Sequence, residues 1–335
     1  MEEEVKVKAI VFGGTGFIGS HVVEQLKLAD HEVTVAVRKS SDTRFLRALG
    51  VHAQVVNFND PSEVAECMRG KDVVYNCTAG AKVLGRKVAG ADVEIKLTRE
   101  LLEAASAIGV SKFIQLSTIV LYDFKSSDPF DESYISKPEY PIQEIEFQRE
   151  QIVQQYGKST GLETMILRPA STIGARDHSS FFLKLYEAHK KGRYPILGNG
   201  NARVSLVDTR DIGRAMTWLG THQKSPEDTG IYNLKGFDTT WGDLKEMIDV
   251  SVGSFSRTIK IPRPIAWAIG GLAEYMTPAT KEPPLSRFAV QMLTVNRLWD
   301  DKKIRSLGFT TKYGLKDAVG EAIHDFRSRQ TALNH

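Results

Sequence analysis

The chain has 335 residues, 41% hydrophobic and 25% charged, and its 44 Lys and Arg nearly balance 41 Asp and Glu for a net charge of +3. That length supports one large domain or a two-lobed α/β unit with an ample core, and the even mixing of charge excludes a nucleic-acid binder working through a basic face. Cys67 and Cys77 have no metal or redox spacing and read as free thiols of a reducing compartment.

In chain order, Val5 to Phe12 reads as a buried strand, and Gly13-Gly14-Thr15-Gly16-Phe17-Ile18-Gly19-Ser20-His21 follows it directly. A helix then begins with Val22, Val23 and Leu26 on one face. Strand, glycine turn and helix start form the phosphate cradle of a dinucleotide site: glycines let the backbone approach the pyrophosphate, and free N–H groups attract its charge. Gly13, Thr15, Gly16, Phe17 and Ile18 are the residues expected to hold it. His21 reads as packed or capping.

A second strand, Glu32 to Val37, ends at Arg38-Lys39-Ser40. Two cations and a hydroxyl stand where an NAD-selective site places an acid, so NADP(H) is favoured over NAD(H). Helical and extended segments then alternate: a helix at about 42–49, a strand at 53–56, a helix at 61–68, a strand at 72–76, a helix at 93–108, and strands at 112–116 and 163–167. Asn57 and Phe58, closing the third strand, are expected at the adenine edge. The rhythm predicts a Rossmann α/β fold, a doubly wound parallel sheet covered on both faces, with a smaller C-terminal substrate lobe. Residues 1–173 are expected to form the dinucleotide domain, with a strand returning near 230–235, and 174–330 mainly the substrate lobe.

Beyond Ile173 the signals thin out. Arg176-Asp177-His178 reads as a solvated loop rather than a substrate mouth. Gly198-Asn199-Gly200-Asn201 reads as a hairpin turn, and the stretch around Trp267, Leu272, Tyr275 and Met276 as amphipathic core. Pro264 to Ala273 is too short to span a bilayer. His31, His52, His189, His222, His324 and His335 make no metal-ligand spacing. With the acidic start Met1-Glu2-Glu3-Glu4, which is no signal peptide, the expectation is a soluble cytoplasmic protein without a membrane span or metal.

Gly13 to Gly19, Asn76-Cys77-Thr78-Ala79-Gly80, Gln115-Leu116-Ser117-Thr118, Arg168-Pro169-Ala170 and Val204-Ser205-Leu206-Val207-Asp208 occur in this order. Across nearly the whole chain the pattern resembles the extended short-chain dehydrogenase/reductases of the NAD-dependent epimerase/dehydratase superfamily. Ile261-Pro262-Arg263-Pro264, Glu282-Pro283-Pro284-Leu285 and Trp299-Asp300-Asp301-Lys302-Lys303 resemble its 3β-hydroxysteroid dehydrogenase-like branch. The resemblance implies a cofactor over the strand ends touched by Thr78, Ala79, Tyr140 and Pro169, a small-molecule substrate in the second lobe, and often a homodimer through two long helices.

The family's chemistry uses Ser or Thr to orient the substrate oxygen, Tyr to exchange a proton, and Lys four residues later to lower the Tyr pKa and hold the ribose. Ser117 and Thr118 fall in the expected place and Tyr140 begins the next helix, but Glu144 stands in the Lys position. Tyr134 has Pro138 at that spacing and Tyr122 has Ser126, so neither restores the pair. Glu94 replaces a customary Asn and Leu97 a Gly, while Thr98 is kept. A charge ~5 Å from a phenol is worth roughly 3 kcal/mol at an effective dielectric of ~20, so exchanging cation for anion disfavours phenolate and biases redox chemistry toward reduction. Three readings follow: an NADP(H)-dependent oxidoreductase reducing a carbonyl on a hydrophobic molecule; a nucleotide-sugar epimerase or dehydratase, with Arg203 toward a diphosphate; or a non-catalytic NADP(H)-binding sensor or assembly module.

Overall fold

The structure, a computed structural model, describes residues 6–79, 82–84, 87–89, 91–125, 129–178, 180–225, 228–278 and 281–333. Met1-Glu2-Glu3-Glu4, Gly80, Ser126 and His335 lie outside the described residues. The first part runs β1 (Lys8–Phe12), α1 (Phe17–Leu28), β2 (Glu32–Val37), α2 (Arg44–Ala48), β3 (His52–Val55), α3 (Pro61–Met68), β4 (Val73–Asn76), β5 (Lys82–Leu84), β6 (Lys87–Ala89), α4 (Ala91–Ala107), β7 (Lys112–Leu116), α5 (Pro141–Thr160) and β8 (Glu163–Pro169). The second part runs β9 (Ser171–Ile173), α6 (Phe181–Lys190), β10 (Arg193–Leu197), β11 (Arg203–Asp208), α7 (Thr209–Thr221), β12 (Ile231–Leu234), β13 (Phe237–Thr240) and α8 (Trp241–Val252). It closes with β14 (Arg257–Ile261), α9 (Arg263–Met276), α10 (Arg287–Thr294), α11 (Lys302–Ser306) and α12 (Leu315–Leu333).

Seven strands form one sheet in the order β12-β8-β7-β4-β1-β2-β3, every pairing parallel. This is the Rossmann arrangement the alternation predicts, and β12 is the returning strand. Strand periodicity sorts β1 onto two faces: Ala9 and Val11 enter a core with Val22, Val23 and Leu26 of α1, while Ile10 and Phe12 enter a second core with Val64, Leu101 and Ile152 from α3, α4 and α5. The order reverses at β1, whose neighbours are β2 and β4, so the crevice of a doubly wound sheet opens where the glycine turn emerges.

Residues beyond 173 also return to this layer. Ile212, Ala215, Met216 and Leu219 of α7 share the α1 core, and α7 lies so close that a Cβ on Gly213 would stand 2.5 Å from the His21 carbonyl. The second lobe packs α6, α8 and α12 around Phe182, Tyr194, Leu206, Trp241 and Phe326, with small sheets β13-β11-β9 and β10-β14.

Two expectations are corrected here. Gly198 to Asn201 is a turn but joins no hairpin, because β10 pairs in parallel with β14 while β11 pairs with β9 and β13. The stretch containing Trp267, Leu272, Tyr275 and Met276 is not core: α9 buries Ala266 and Gly270 and leaves those four side chains exposed.

His21 is packed, as read. Its Nε2 lies 2.9 Å from the Ala175 carbonyl oxygen and its Nδ1 2.8 Å from the Arg176 guanidinium. Burial and the Arg176 charge hold its pKa down to about 3. Arg176, at φ +63°, also donates to Ser20 and Glu24 and Asp177 is buried, so this loop is not the solvated one expected but ties the second lobe to α1.

Candidate dinucleotide and substrate site

The glycine turn is shaped by close backbone approach. Gly13 has φ +78°, and a Cβ there would stand 2.5 Å from the Cys77 carbonyl oxygen at the end of β4. Gly16 N–H donates to the Gly13 carbonyl at 3.0 Å, and a Cβ on Gly19 would meet that same oxygen at 2.2 Å. Gly16 is the N-cap of α1, makes no side-chain cap, and is followed by no acid in the first turn. The N–H groups of Phe17 and Ile18 therefore face a field that favours anions, and Thr15 is exposed beside them. This cradle fits a pyrophosphate.

Arg38, Lys39 and Ser40 are exposed beyond β2, in a turn closed by Ser41 N–H on the Arg38 carbonyl at 2.9 Å. The nearby acid, Asp42, is taken by Arg44 at 2.5–3.0 Å. Asn57 is exposed but uses its side-chain oxygen to accept from Asn59 N–H, and the Phe58 ring meets Phe12 edge-on at 6.0 Å. Thr78 follows β4, its hydroxyl 2.6 Å from Asn76; Ala79 beside it is exposed and Pro169 closes β8 as a buried residue.

The four residues expected to carry catalysis have separate partners. Buried Ser117 donates to Glu150 at 2.5 Å, and Glu150 is paired with Arg168, which also donates to the Tyr122 hydroxyl at 2.7 Å. Half-buried Thr118 accepts from Val120 N–H at 3.1 Å, leaving its own proton free to donate. Tyr140 is the N-cap of α5. Its ring meets Phe124 at 5.9 Å and Phe288 at 5.1 Å, and burial raises its pKa, offset in part by a hydrogen bond with Gln291. Glu144 is exposed and accepts from Gln148 at 2.9 Å. The charges acting most strongly on Tyr140 are Glu139, Arg287 and Glu274, and Glu144 is not among them.

The inward face of α5 carries different residues: Gln143, Glu146, Arg149, Glu150 and Val153. Gln143 donates to the Tyr122 carbonyl at 2.8 Å and the Val120 carbonyl at 3.1 Å, and Arg297 donates to the Tyr122 carbonyl at 3.0 Å from the other side. Together they fix the segment after Thr118. Arg149 reaches the Thr78 carbonyl at 3.0 Å and Thr98 at 3.2 Å, with Glu146 at 3.1 Å and Glu94 at 3.8 Å. Three buried carboxylates, Glu94, Glu146 and Glu150, thus share two guanidinium groups, Arg149 and Arg168. Burial pushes Glu146 up to about 7, Arg149 opposes the shift, and Glu94 and Glu150 reinforce it.

Glu146 therefore binds a proton more tightly in the folded chain than in the unfolded one. Stability falls as pH rises from about 4.5 to 7, by about 3 kcal/mol from this group. Urea melts at pH 5 and pH 7.5 will show this loss in the wild type, and Glu146→Gln will remove most of it.

None of Glu146, Arg149 or Glu150 was expected at the site. The available signal was polar residues recurring at three- and four-residue spacing along α5, in register with buried Val153.

Between α5 and the second lobe lies a cavity of about 650 Å³. Ile142, on the first turn of α5, faces Phe181, Leu185, Trp241, Leu285 and Leu293 there. The charged lining is Lys184 and Glu282, 3.6 Å apart. Arg203 is exposed on β11 and is not among the lining residues.

Comparison with known proteins agrees with this geometry. Residues 9–234 match the NAD dependent epimerase/dehydratase family. The chain is 26% identical over 307 residues to NADH dehydrogenase [ubiquinone] 1 alpha subcomplex subunit 9, mitochondrial, of Arabidopsis thaliana, covering 88% of this chain and 70% of that protein. It is 24% identical to 4-hydroxy-2-methyl-3-oxo-4-farnesyl-3,4-dihydroquinoline-1-oxide ketoreductase of Stigmatella aurantiaca, covering 94% and 96% of the two chains. UDP-glucuronic acid 4-epimerase from Bacillus cereus, solved with UDP-glucuronic acid and NAD, superposes with a TM-score of 0.75 at 20% identity over 96% of this chain and 99% of its own.

Proposed function

The chain belongs to the NAD-dependent epimerase/dehydratase family, and on that premise we propose that it is an NADP(H)-dependent oxidoreductase that reduces a carbonyl on a hydrophobic small molecule. The cleft carries this reading. Its walls are aliphatic and aromatic, its lining charges are one ion pair, and Ile142 links it to the helix bearing Glu146. A nucleotide sugar needs cations for its diphosphate, and the one lining cation, Lys184, is paired with Glu282 at 3.6 Å. The Stigmatella ketoreductase is named for a substrate with both an oxo group and a farnesyl chain, which is the chemistry such a cleft suits.

A bound nicotinamide would supply the hydride. Thr118, which accepts from Val120 N–H and keeps its own proton, would donate a hydrogen bond to the carbonyl oxygen, and we assign the proton that oxygen takes up to Glu146, held by Arg149 next to the Thr78 carbonyl. With a pKa of about 7, Glu146 is partly protonated at neutral pH, as a general acid requires. Once deprotonated it rests against Arg149 and regains a proton from water. Tyr140 forms an aromatic rim with Phe124 and Phe288.

Arg38, Lys39 and Ser40 are assigned to the 2′-phosphate. Arg38→Asp will weaken NADPH binding by about 10- to 100-fold, the loss of a charge-assisted contact of ~1.5–3 kcal/mol, and leave NADH binding nearly unchanged; titration calorimetry with both nucleotides reads this directly. The function itself is tested by NADPH oxidation with long-chain 3-oxo compounds and prenylated ketones beside UDP-sugars. Turnover with the apolar set supports the reading. UDP-sugar conversion without net NADPH consumption replaces it with an epimerase.

A further inference from the structure

Helix α9 is apolar on the side turned away from the protein. Its packed edge is Ala266 and Gly270, where a Cβ on Gly270 would stand 3.2 Å from Arg287 N. The helix has two charged residues, and both are held by α10 and the segment leading into it. Arg263 donates to Gln291 at 2.9 Å, and Glu274 accepts from Arg287 N–H at 2.7 Å and from its guanidinium at 2.9 Å. Opposite them, Ile265 (54% exposed), Ile269 (46%), Leu272 (59%) and Met276 (71%) form a stripe at helical spacing. Tyr275 is exposed on one flank of the stripe, Trp267 lies toward α10 with the Arg287 guanidinium 5.8 Å from its ring centre, and Phe255 and Ile259 are exposed just before the helix. A helix apolar on both sides needs a cover, because contiguous exposed apolar surface of this kind marks an interaction site.

The unpaired exposed charges that flank α9 in sequence have one sign. Exposed Arg257, Lys260 and Lys281 form no ion pair among the described residues, whereas Glu274 is neutralised by Arg287 and Glu282 by Lys184. A two-fold contact with a second copy would bring these cations against their own counterparts. An anionic bilayer surface complements them, accepts the aliphatic stripe, and suits Tyr275 at the headgroup level.

We propose that α9 docks this protein on the surface of an anionic phospholipid membrane, lying in the interface plane. Among the described residues no helix is long and apolar enough to cross a membrane; the proposed attachment runs through the exposed face of α9. Ile261 and Leu285, which line the cavity, pack with Ala266 on the opposite, buried edge of α9. The proposal concerns where the chain sits and is independent of the reaction assigned to it.

The test is co-sedimentation of the full chain with phosphatidylcholine vesicles containing or lacking phosphatidylglycerol. Binding is expected on the phosphatidylglycerol vesicles, weakened by salt. The pair Ile269→Glu and Leu272→Glu should lower it at least about tenfold, and Lys260→Ala and Lys281→Ala about fivefold each, while Leu28→Glu, an exposed leucine on α1, leaves it unchanged. Should the α9 variants fail to fold, quenching of Trp267 fluorescence by brominated lipid in the wild type, lost in Trp267→Phe, supports the docking, and its absence overturns it. A wild-type chain that stays in the supernatant overturns the proposal. So does a dimer in sedimentation velocity that the folded α9 variant dissociates, which would assign the face to a second copy.

Discussion

Gly13→Val will lose NAD(P)H binding by at least about 100-fold and destabilise the chain. Two costs add. Gly13 sits at φ +78°, where an L side chain costs roughly 1–2 kcal/mol. The larger cost is contact, because the new Cβ would lie 2.5 Å from the Cys77 carbonyl oxygen and 2.7 Å from its carbon, and both are backbone at the end of β4. Relief requires moving the turn away from β4, which displaces the Phe17 and Ile18 N–H groups from the cradle. Gly50→Ala separates the two costs, since Gly50 has φ +64° with nothing near its prospective Cβ. It should lose about 1 kcal/mol in a urea melt and bind NADPH normally. Normal binding by Gly13→Val would show that the cofactor does not rest on this turn.

Arg168→Met will destabilise the chain by about 3–5 kcal/mol, the usual cost of stranding one member of a buried ion pair. Arg168 meets Glu150 through three hydrogen bonds of 2.5–3.2 Å and the Tyr122 hydroxyl at 2.7 Å, and its guanidinium lies 5.2 Å from the centre of the Tyr122 ring. Without it, Glu150 keeps only the Ser117 hydroxyl and stays buried. The double variant Glu150→Leu with Arg168→Met removes both charges and should recover most of the loss. Ser117→Ala should cost far less, about 1 kcal/mol, since the ion pair remains. Equal losses in all three would mean that packing, and not the stranded charge, dominates. The network also bears on function: Ser117 holds Glu150 in place beneath the site, leaving Thr118 as the hydroxyl with a proton to donate.

Much of the fold was legible because local periodicity and tertiary burial agree in the first half. A run such as Val33 to Val37 is buried on both faces of a parallel sheet and reads as a strand without help. The glycine turn was legible because its residue types answer to backbone geometry, as the Gly13 contact with Cys77 demonstrates. The start of α5 was legible at Tyr140, but which of its side chains face inward was not. Tyr140 is the N-cap and the Gln143 side chain accepts from the Tyr140 and Glu139 N–H groups, which rotates Gln143, Glu146 and Arg149 inward and Glu144 outward. A motif counted forward from Tyr140 does not see that rotation.

Helix α9 shows the opposite case. A largely apolar helix reads as core from its sequence, since composition does not reveal whether the chain supplies anything to cover it. Here α10 covers one edge and leaves the other face exposed. The small sheets of the second lobe were equally hidden, because β10 finds its partner β14 some sixty residues away and short strands of that kind have little local signature.

The central claim is that Glu146, in place of a Tyr–Lys pair, supplies the proton for carbonyl reduction. The direct measurement is kcat for NADPH-dependent reduction of a hydrophobic ketone as a function of pH, in the wild type, Glu146→Gln and Tyr140→Phe. The expected result is a wild-type rate that falls above about pH 7, a loss of at least about 100-fold in Glu146→Gln, and a Tyr140→Phe variant that keeps most of its activity and the same pH profile. A Tyr140→Phe variant without activity beside a fully active Glu146→Gln would return the proton to the phenol and contradict the assignment.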